Sequence, residues 1–402
     1  MRRPYRPATL TGLLPKRIMS NPDHPEIHWT GTDGQTRRCD WLSVTGARAP
    51  QRVRLADDTM NADTAYKLAC EGTALLWQGD YHQARQMLQA LARRIDQKAK
   101  RKPAKTSISP AEAFHLHRQA QAQRARVLAM LIIPLDADFR IPLRRAPDVR
   151  EACIETYPAV TRAFATTLRE LLGLIGAHEW RKKGVDIPAL GAAIHPWHGV
   201  FSPVRGEYVD LVAKAPLPSN ELAFDIGTGT GVLSAVLAQR GVRRIIATDM
   251  DTRALECARD NLQRLGCLPR VELQQTDLFP VGQAPLIVCN PPWLPVRPNA
   301  AVEQAIYDAD SRMLKGFLQG VSAHLTDDGE AWLIMSDLAE HLGLRGEHDL
   351  WNWITEAGLT VAGKMDIRPR HPKASDATDT LHAARVKEVT SLWRLKKQAK
   401  AA

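Results

Sequence analysis

Apolar residues recur along this chain with two different rhythms. Between Asp63 and Gln97 they follow helical spacing. Ala65, Leu68, Ala69, Ala74 and Leu75 share one stripe, Gly79-Asp80 interrupts it, and Ala84, Met87, Leu88 and Leu91 resume it. This spacing predicts a helical hairpin. Ser109-Pro110-Ala111-Glu112 has the form of a capping box with proline at the first helical position, so another helix starts at residue 110. Further helical stretches are expected near 147–157 and 160–178. Residues 1–58 contain many Pro, Gly and Thr with little periodicity and read as an irregular arm. Residues 98–109 read as a basic connection.

After residue 200 the rhythm becomes strand, turn, helix. Short apolar runs at 222–225, 244–248, 271–275, 286–289 and 331–336 alternate with helical patterns at 231–240, 252–265, 311–325 and 349–357. Repeated units of this kind imply a mostly parallel sheet with helices on both faces. Two last strands, 359–367 and 389–395, lack a long helix between them, which implies an antiparallel strand at the end. The expected organisation is an arm (1–58), a mainly α-helical domain (59–193) and an α/β domain (194–398).

Charge changes the picture of the first half. Residues 1–200 hold 31 Lys and Arg against 19 Asp and Glu, whereas residues 201–402 hold 23 against 25. The surplus peaks between residues 81 and 150, which marks the 59–193 domain as a docking surface for a polyanion. The longest apolar run before a proline, Val127 to Ile133, is far short of the roughly 20 residues of a membrane span. The basic N-terminus has no apolar core of a secretory signal. The six cysteines are scattered and form no CxxC pair, and the histidines show no metal-ligand spacing. A cytoplasmic protein without membrane or metal is expected.

The first strand of the second half runs into FDIGTGTG, residues 224–231. Glycines at 227, 229 and 231 let a ligand approach the backbone, and ligands of open α/β sheets bind beyond the carboxyl ends of the strands. The i, i+2, i+5 glycine spacing of a dinucleotide fingerprint fails at Val232. The GxGxG spacing suits a nucleoside without a pyrophosphate. Three acids end three successive strands: Asp225 can receive an ammonium, Asp249 two ribose hydroxyls, and Asp277 an adenine amino hydrogen, with Leu278 packing on the ring.

The set FDIGTGTG, ATDMD, TDLF and VCNPPWLP, in that order and spacing, resembles class I S-adenosylmethionine-dependent methyltransferases. The match is to the branch with an Asn-Pro-Pro-aromatic motif, which includes small-domain, adenine-N6, guanine-N2 and protein-glutamine methyltransferases. The resemblance spans about residues 200–398. It implies a Rossmann-like sheet and S-adenosylmethionine as cofactor. Asp225, Gly227, Thr228, Gly229 and Gly231 are implied at its methionine end and Asp249 at the ribose, with Met250 also in the cofactor-binding set. Asp277 and Leu278 are implied at the adenine, and Asn290 beside the methyl group.

The catalytic set implied is Asn290, Pro291, Pro292 and Trp293. An exocyclic nitrogen is a poor nucleophile because its lone pair is delocalised. The Asn290 side-chain oxygen and the Pro291 carbonyl can hold its two N–H groups and stabilise the developing charge. The prolines preset these acceptors, and Trp293 offers a face for a planar group. Phe201, Arg205 and Glu207 lie in the segment before the sheet that covers the cofactor in this branch. Arg370 and Lys373 lie between the last two strands, where a connection would cross the mouth of the site. The leading expectation is N-methylation of RNA, most simply ribosomal RNA. The alternatives are a protein glutamine amide, DNA adenine, or a non-catalytic RNA-binding protein on a relic fold.

Overall fold

The computed structural model describes residues 24–100, 108–204, 206–298, 303, 305–370, 376 and 379–398. Residues 1–23 of the expected arm, and with them Arg205 and Lys373, lie outside the described residues.

The first half is mainly helical as expected, but its helices stand on a sheet, and strands lie in the stretch read as an irregular arm. It carries β1 (Glu26–Thr30), β2 (Thr36–Trp41), β3 (Arg52–Ala56), α1 (Ala62–Cys70), β4 (Thr73–Trp77), α2 (Tyr81–Lys100), α3 (Pro110–Leu128), β5 (Leu131–Leu135), α4 (Arg150–Ile154), β6 (Phe164–Thr167) and α5 (Leu168–Lys183). Its six strands form one mixed sheet in the order β1-β2-β6-β5-β4-β3. The expected hairpin is therefore helix, strand, helix. Thr73-Ala-Leu-Leu-Trp77 is a buried strand between Gly72 and Gly79, and so short an apolar run has no period that separates strand from buried helix. β1 and β3 keep few buried positions, so their alternation is weak in the sequence. The helix expected over 160–178 begins only at Leu168, after the buried strand Phe164–Thr167. Ser109 caps α3 by accepting from the Glu112 N–H at 3.2 Å, with Pro110 in its first turn.

A small hairpin, β7 (Val185–Ile187) with β8 (Ala192–Ile194), leads into the second half. There follow α6 (Glu207–Lys214), β9 (Leu222–Ile226), α7 (Val232–Gln239), β10 (Arg244–Asp249), α8 (Thr252–Arg264), β11 (Val271–Gln275) and β12 (Ala284–Cys289). The chain continues through α9 (Arg312–His324), β13 (Leu325–Ser336), α10 (Leu338–His341), α11 (Asp349–Glu356), β14 (Leu359–Ile367), α12 (His382–Arg385) and β15 (Thr390–Lys397). The sheet order is β11-β10-β9-β12-β13-β15-β14. β15 runs antiparallel to both neighbours and is inserted between β13 and β14. Successive strand residues point to opposite faces: Ala223, Ile245, Ala247 and Val288 pack with α6, α7 and α8, and Phe224, Ile246 and Ile287 pack with α9 and α11. No helix among the described residues is long and apolar enough to cross a membrane.

A buried carboxylate ties one loop of the first domain in place. Glu170 accepts from Ser43 Oγ (2.6 Å), Val44 N (2.9 Å), Thr45 Oγ1 (2.7 Å) and Tyr157 OH (2.7 Å). Burial pushes its carboxyl up, but these donors outweigh it and hold it below the ordinary range. A depressed folded value means that the stabilisation is present above the unfolded value, about 4.3. It is lost as pH falls through the folded value. Glu170→Gln should lower stability by about 3 kcal/mol at neutral pH, because donors arranged for a charged acceptor lose it. Urea midpoints of the two proteins should converge as pH falls toward 3. A difference that persists unchanged there would show that the charge contributes nothing.

Candidate functional site

The two halves enclose a cavity of about 970 Å³ beyond the carboxyl ends of β9, β10 and β12. Strand register assembles it. Ile226 pairs with Thr248 on one side and Cys289 on the other, so Gly227, Asp249 and Asn290, one residue later on three adjacent strands, begin at the same edge. β9 is also where the sheet order reverses, the place where neighbouring loops diverge and leave a crevice.

The glycine loop is drawn together by few atoms. The Thr248 carbonyl accepts from both Gly227 N and Thr228 N at 2.9 Å, and Asp249 Oδ2 accepts from Gly229 N at 3.0 Å. Gly229 has φ +55°, and nothing lies within 4 Å of where a Cβ would be. Gly231 is different: at φ +78° its Cβ would lie 3.2 Å from the Ala258 Cα, so it lets α8 pack against the loop and does not line the cavity.

Asp225 lies beneath the loop, fully buried. Its Oδ2 accepts from Thr228 Oγ1 (2.7 Å), Ser234 N (3.1 Å) and Ser234 Oγ (2.6 Å), while Oδ1 has no hydrogen-bond partner among the described residues. Burial pushes its carboxyl up, and the three donors oppose that. Burial likewise raises Asp249, against the backbone N–H groups that it accepts. Asp277 stays exposed at the rim and pairs with Arg312 at 2.5 Å. Leu278 takes a left-handed φ of 70°, and its carbonyl accepts from Thr248 Oγ1 at 2.6 Å. Met250 is exposed and lines the cavity.

Asn290, Pro291, Pro292 and Trp293 form the middle of the cavity wall. The Trp293 ring packs against the clusters on both faces of the sheet. Its indole N–H donates to Asn290 Oδ1 at 3.0 Å, a bond not expected from the sequence. Phe201 lines the cavity, but Glu207 and Arg370 do not. Glu207 instead accepts from the Arg370 backbone N–H at 2.6 Å, and the Arg370 side chain is exposed. The segment between the last two strands still reaches the cavity, through Leu381 and Arg385.

Sequence reasoning missed the contribution of the first domain. Beyond Trp293 the wall is completed by Phe114, His117 and Arg118 of α3. Phe114 is buried in a cluster with Leu294, Leu338 and Leu342. Arg118 stacks over the Tyr307 ring at 4.2 Å and pairs with Glu303 at 3.1 Å. His117 Nδ1 lies 2.8 Å from Thr380 Oγ1. The wall also includes Val44 and Thr45, on the loop that Glu170 holds. Among the described residues no group of three or more His, Cys, Asp or Glu side chains is placed to hold a metal ion.

A family model described as the methyltransferase small domain matches residues 194–344. A tRNA1(Val) (adenine(37)-N6)-methyltransferase of Shewanella loihica is 30% identical over 185 residues, 43% of this chain and 72% of that protein. A Methanocaldococcus jannaschii protein, provisionally named a protein N5-glutamine methyltransferase, is 24% identical over 44% of this chain and 88% of its own length. A ribosomal protein L11 methylase of Lactobacillus delbrueckii superposes loosely, with a TM-score of 0.37 at 17% identity, covering 52% of this chain and 87% of that one.

The loop geometry ranks two substitutions. Gly229→Ala adds left-handed strain alone and should cost about 1 kcal/mol. Gly231→Ala adds the same strain plus a close approach to the α8 backbone, and should cost at least about 2 kcal/mol. Chemical denaturation of both variants checks the order; equal losses would show that α8 gives way freely.

Proposed function

The chain belongs to the S-adenosylmethionine-dependent methyltransferases, in the small-domain branch, and we propose that it transfers a methyl group to an exocyclic amino nitrogen of a base in RNA. One observation carries this reading. A single cavity is lined by the glycine loop and Asp249 and also by the Asn290-Pro291-Pro292-Trp293 elbow.

The residues present fit the cofactor. Asp225 has a buried oxygen without a partner, and Gly229 leaves open space where a side chain would be. Gly227, Thr228 and Gly229, with Asp225 beneath and Gly231 closing the turn, would hold the methionine end. Asp249 would accept the ribose hydroxyls, and Met250, Asp277 and Leu278 would flank the adenine. When bound, the cofactor supplies an electrophilic methyl group on a sulfonium; a neutral thioether and one proton are the by-products. The protein's task is the acceptor nitrogen. Asn290 Oδ1 and the Pro291 carbonyl can take its two N–H groups, and they face the charge that grows there. Trp293 and the wall beyond it exclude water and align the nitrogen.

RNA is favoured over a protein amide by the lining of that wall, where Phe114 and Tyr307 accompany Arg118 and Arg385, and by the basic surplus of residues 1–200. The Shewanella relative's name places its activity on a tRNA adenine, which supports a base as acceptor. The Methanocaldococcus relative's name supports a glutamine amide instead. One experiment separates them: labelled S-adenosylmethionine is incubated with the protein and an extract of a strain lacking it. Label in the nuclease-sensitive fraction supports RNA; label in the protease-sensitive fraction overturns it.

Two substitutions test the roles assigned. Asp249→Ala should weaken S-adenosylmethionine binding about tenfold or more, since two hydroxyls lose a charged acceptor; unchanged calorimetric affinity would remove Asp249 from the site. Asn290→Ala should slow single-turnover methylation about 10²-fold with little change in cofactor affinity. Wild-type turnover would refute the account of the elbow.

A further inference from the structure

The bond between Trp293 and Asn290 gives the tryptophan a role beyond that of a flat surface. A side-chain amide has an oxygen that accepts and an NH2 that donates, nearly alike in shape. Only the oxygen can receive an N–H of the acceptor nitrogen. With the amide reversed, Asn290 would present a donor to a donor. The indole N–H has no such ambiguity, because it only donates. It lies 3.0 Å from Asn290 Oδ1, so it favours the orientation with oxygen on its side and leaves that oxygen's second lone pair free. The donor itself is held still. Its ring packs between the clusters on the two faces of the sheet, and two prolines set the backbone between residues 290 and 293.

We infer that Trp293 is a positioning residue, whose indole N–H sets the orientation of the Asn290 amide for the acceptor nitrogen. This rests on the methyltransferase reading above. It differs from a stacking role in what it requires: stacking needs the ring face, orientation needs the N–H. Phenylalanine keeps a face and lacks the donor.

The test compares Trp293→Phe and Trp293→Leu in single-turnover methylation of RNA from a strain lacking the protein. Trp293→Phe should lower the saturating rate about tenfold, the worth of one partly buried hydrogen bond. Half-saturation for RNA and cofactor affinity should stay at wild-type values. Trp293→Leu should add weaker RNA binding to a similar loss of rate. A double-mutant cycle with Asn290→Asp adds a second readout, since a carboxylate has no wrong orientation. In that background the change to phenylalanine should cost less than about twofold. An equal loss in both backgrounds, or a wild-type rate for Trp293→Phe, would overturn the inference. If Asn290→Asp is too slow to follow, the split between rate and half-saturation decides.

A measurement without substrate separates this inference from the functional reading. In protein labelled with ¹⁵N-tryptophan, the Trp293 indole resonance, assigned by its loss in Trp293→Phe, should move upfield in Asn290→Ala. A resonance that does not move would sink the inference even if methylation were confirmed. Wild-type protein that labels neither RNA nor protein would sink the functional reading and leave the resonance to decide the hydrogen bond.

Discussion

The site depends on one row of strand register. Ile226, Thr248 and Cys289 lie side by side across three parallel strands, and the next residue on each is Gly227, Asp249 or Asn290. No loop has to be long to bring these together, because the sheet has already done so. A slip of one residue in β12 would turn every buried side chain of that strand to the wrong face. Ile287 and Cys289 on one face and Leu286 and Val288 on the other belong to different clusters. The two cores therefore guard the position of Asn290 as strongly as they guard stability. The same row explains the cost of the loop. Gly227 and Thr228 both lean on the Thr248 carbonyl, and Gly229 on Asp249, so the neighbouring strand helps to close a turn that also bonds to itself through Gly231 N and the Thr228 carbonyl.

The first domain is part of the cavity. α3 crosses to the second domain and buries Phe114 among Leu294, Leu338 and Leu342, one helical turn before Arg118 meets Tyr307 and Glu303. Val44 and Thr45 also line the cavity, on a loop held by the Glu170 carboxylate. The seam between domains is also held by Arg253 and His198, which both line the cavity. There Arg253 donates to the carbonyls of Glu155 and His198, and Trp197 lies between Arg181 and Arg253. A domain gripped at α3 and at this seam shapes what enters the cavity.

The second half was legible because its signals are chemical as well as periodic. FDIGTGTG needs left-handed backbone that few other sequences supply, and acids at successive strand ends mark one edge. The first half offered only periodicity, and periodicity failed where elements are short. Thr73–Trp77 continues the apolar stripe of the preceding helix, and nothing local says that Gly72 ends one element and begins another. β1 and β2 are stitched to a sheet whose centre, β6 and β5, comes later in the chain, so their partners cannot be read from neighbours. Phe114, Arg118 and Tyr307 were missed for the same reason. Each is ordinary in its own segment and meets the site only through the packing of two domains. The Trp293 bond differs, since residues 290 and 293 stand in one motif, and the sequence already held a donor three residues from an acceptor.

The cations at the cavity attract less than their number suggests. Arg118 already faces Glu303 at 3.1 Å, and Arg385 faces Asp379 at 2.8 Å. A phosphate arriving at either would compete with a carboxylate in place, so part of its Coulomb gain would be cancelled. Many arginines of the basic stretch are tied in the same way, Arg94 to Asp63, Arg124 to Asp96, and Arg144 to Asp58. Pairing leaves net charge unchanged. The long-range field of the first half still favours a polyanion, while among the described residues several of its arginines are already engaged in ion pairs within the protein. Attraction and recognition are thereby divided. On the proposed reading the field would bring an anionic partner to the protein without choosing among partners, and the choice would fall to the shape of a cavity walled by Trp293, Tyr307 and Phe114. Only a group that fits there reaches Asn290.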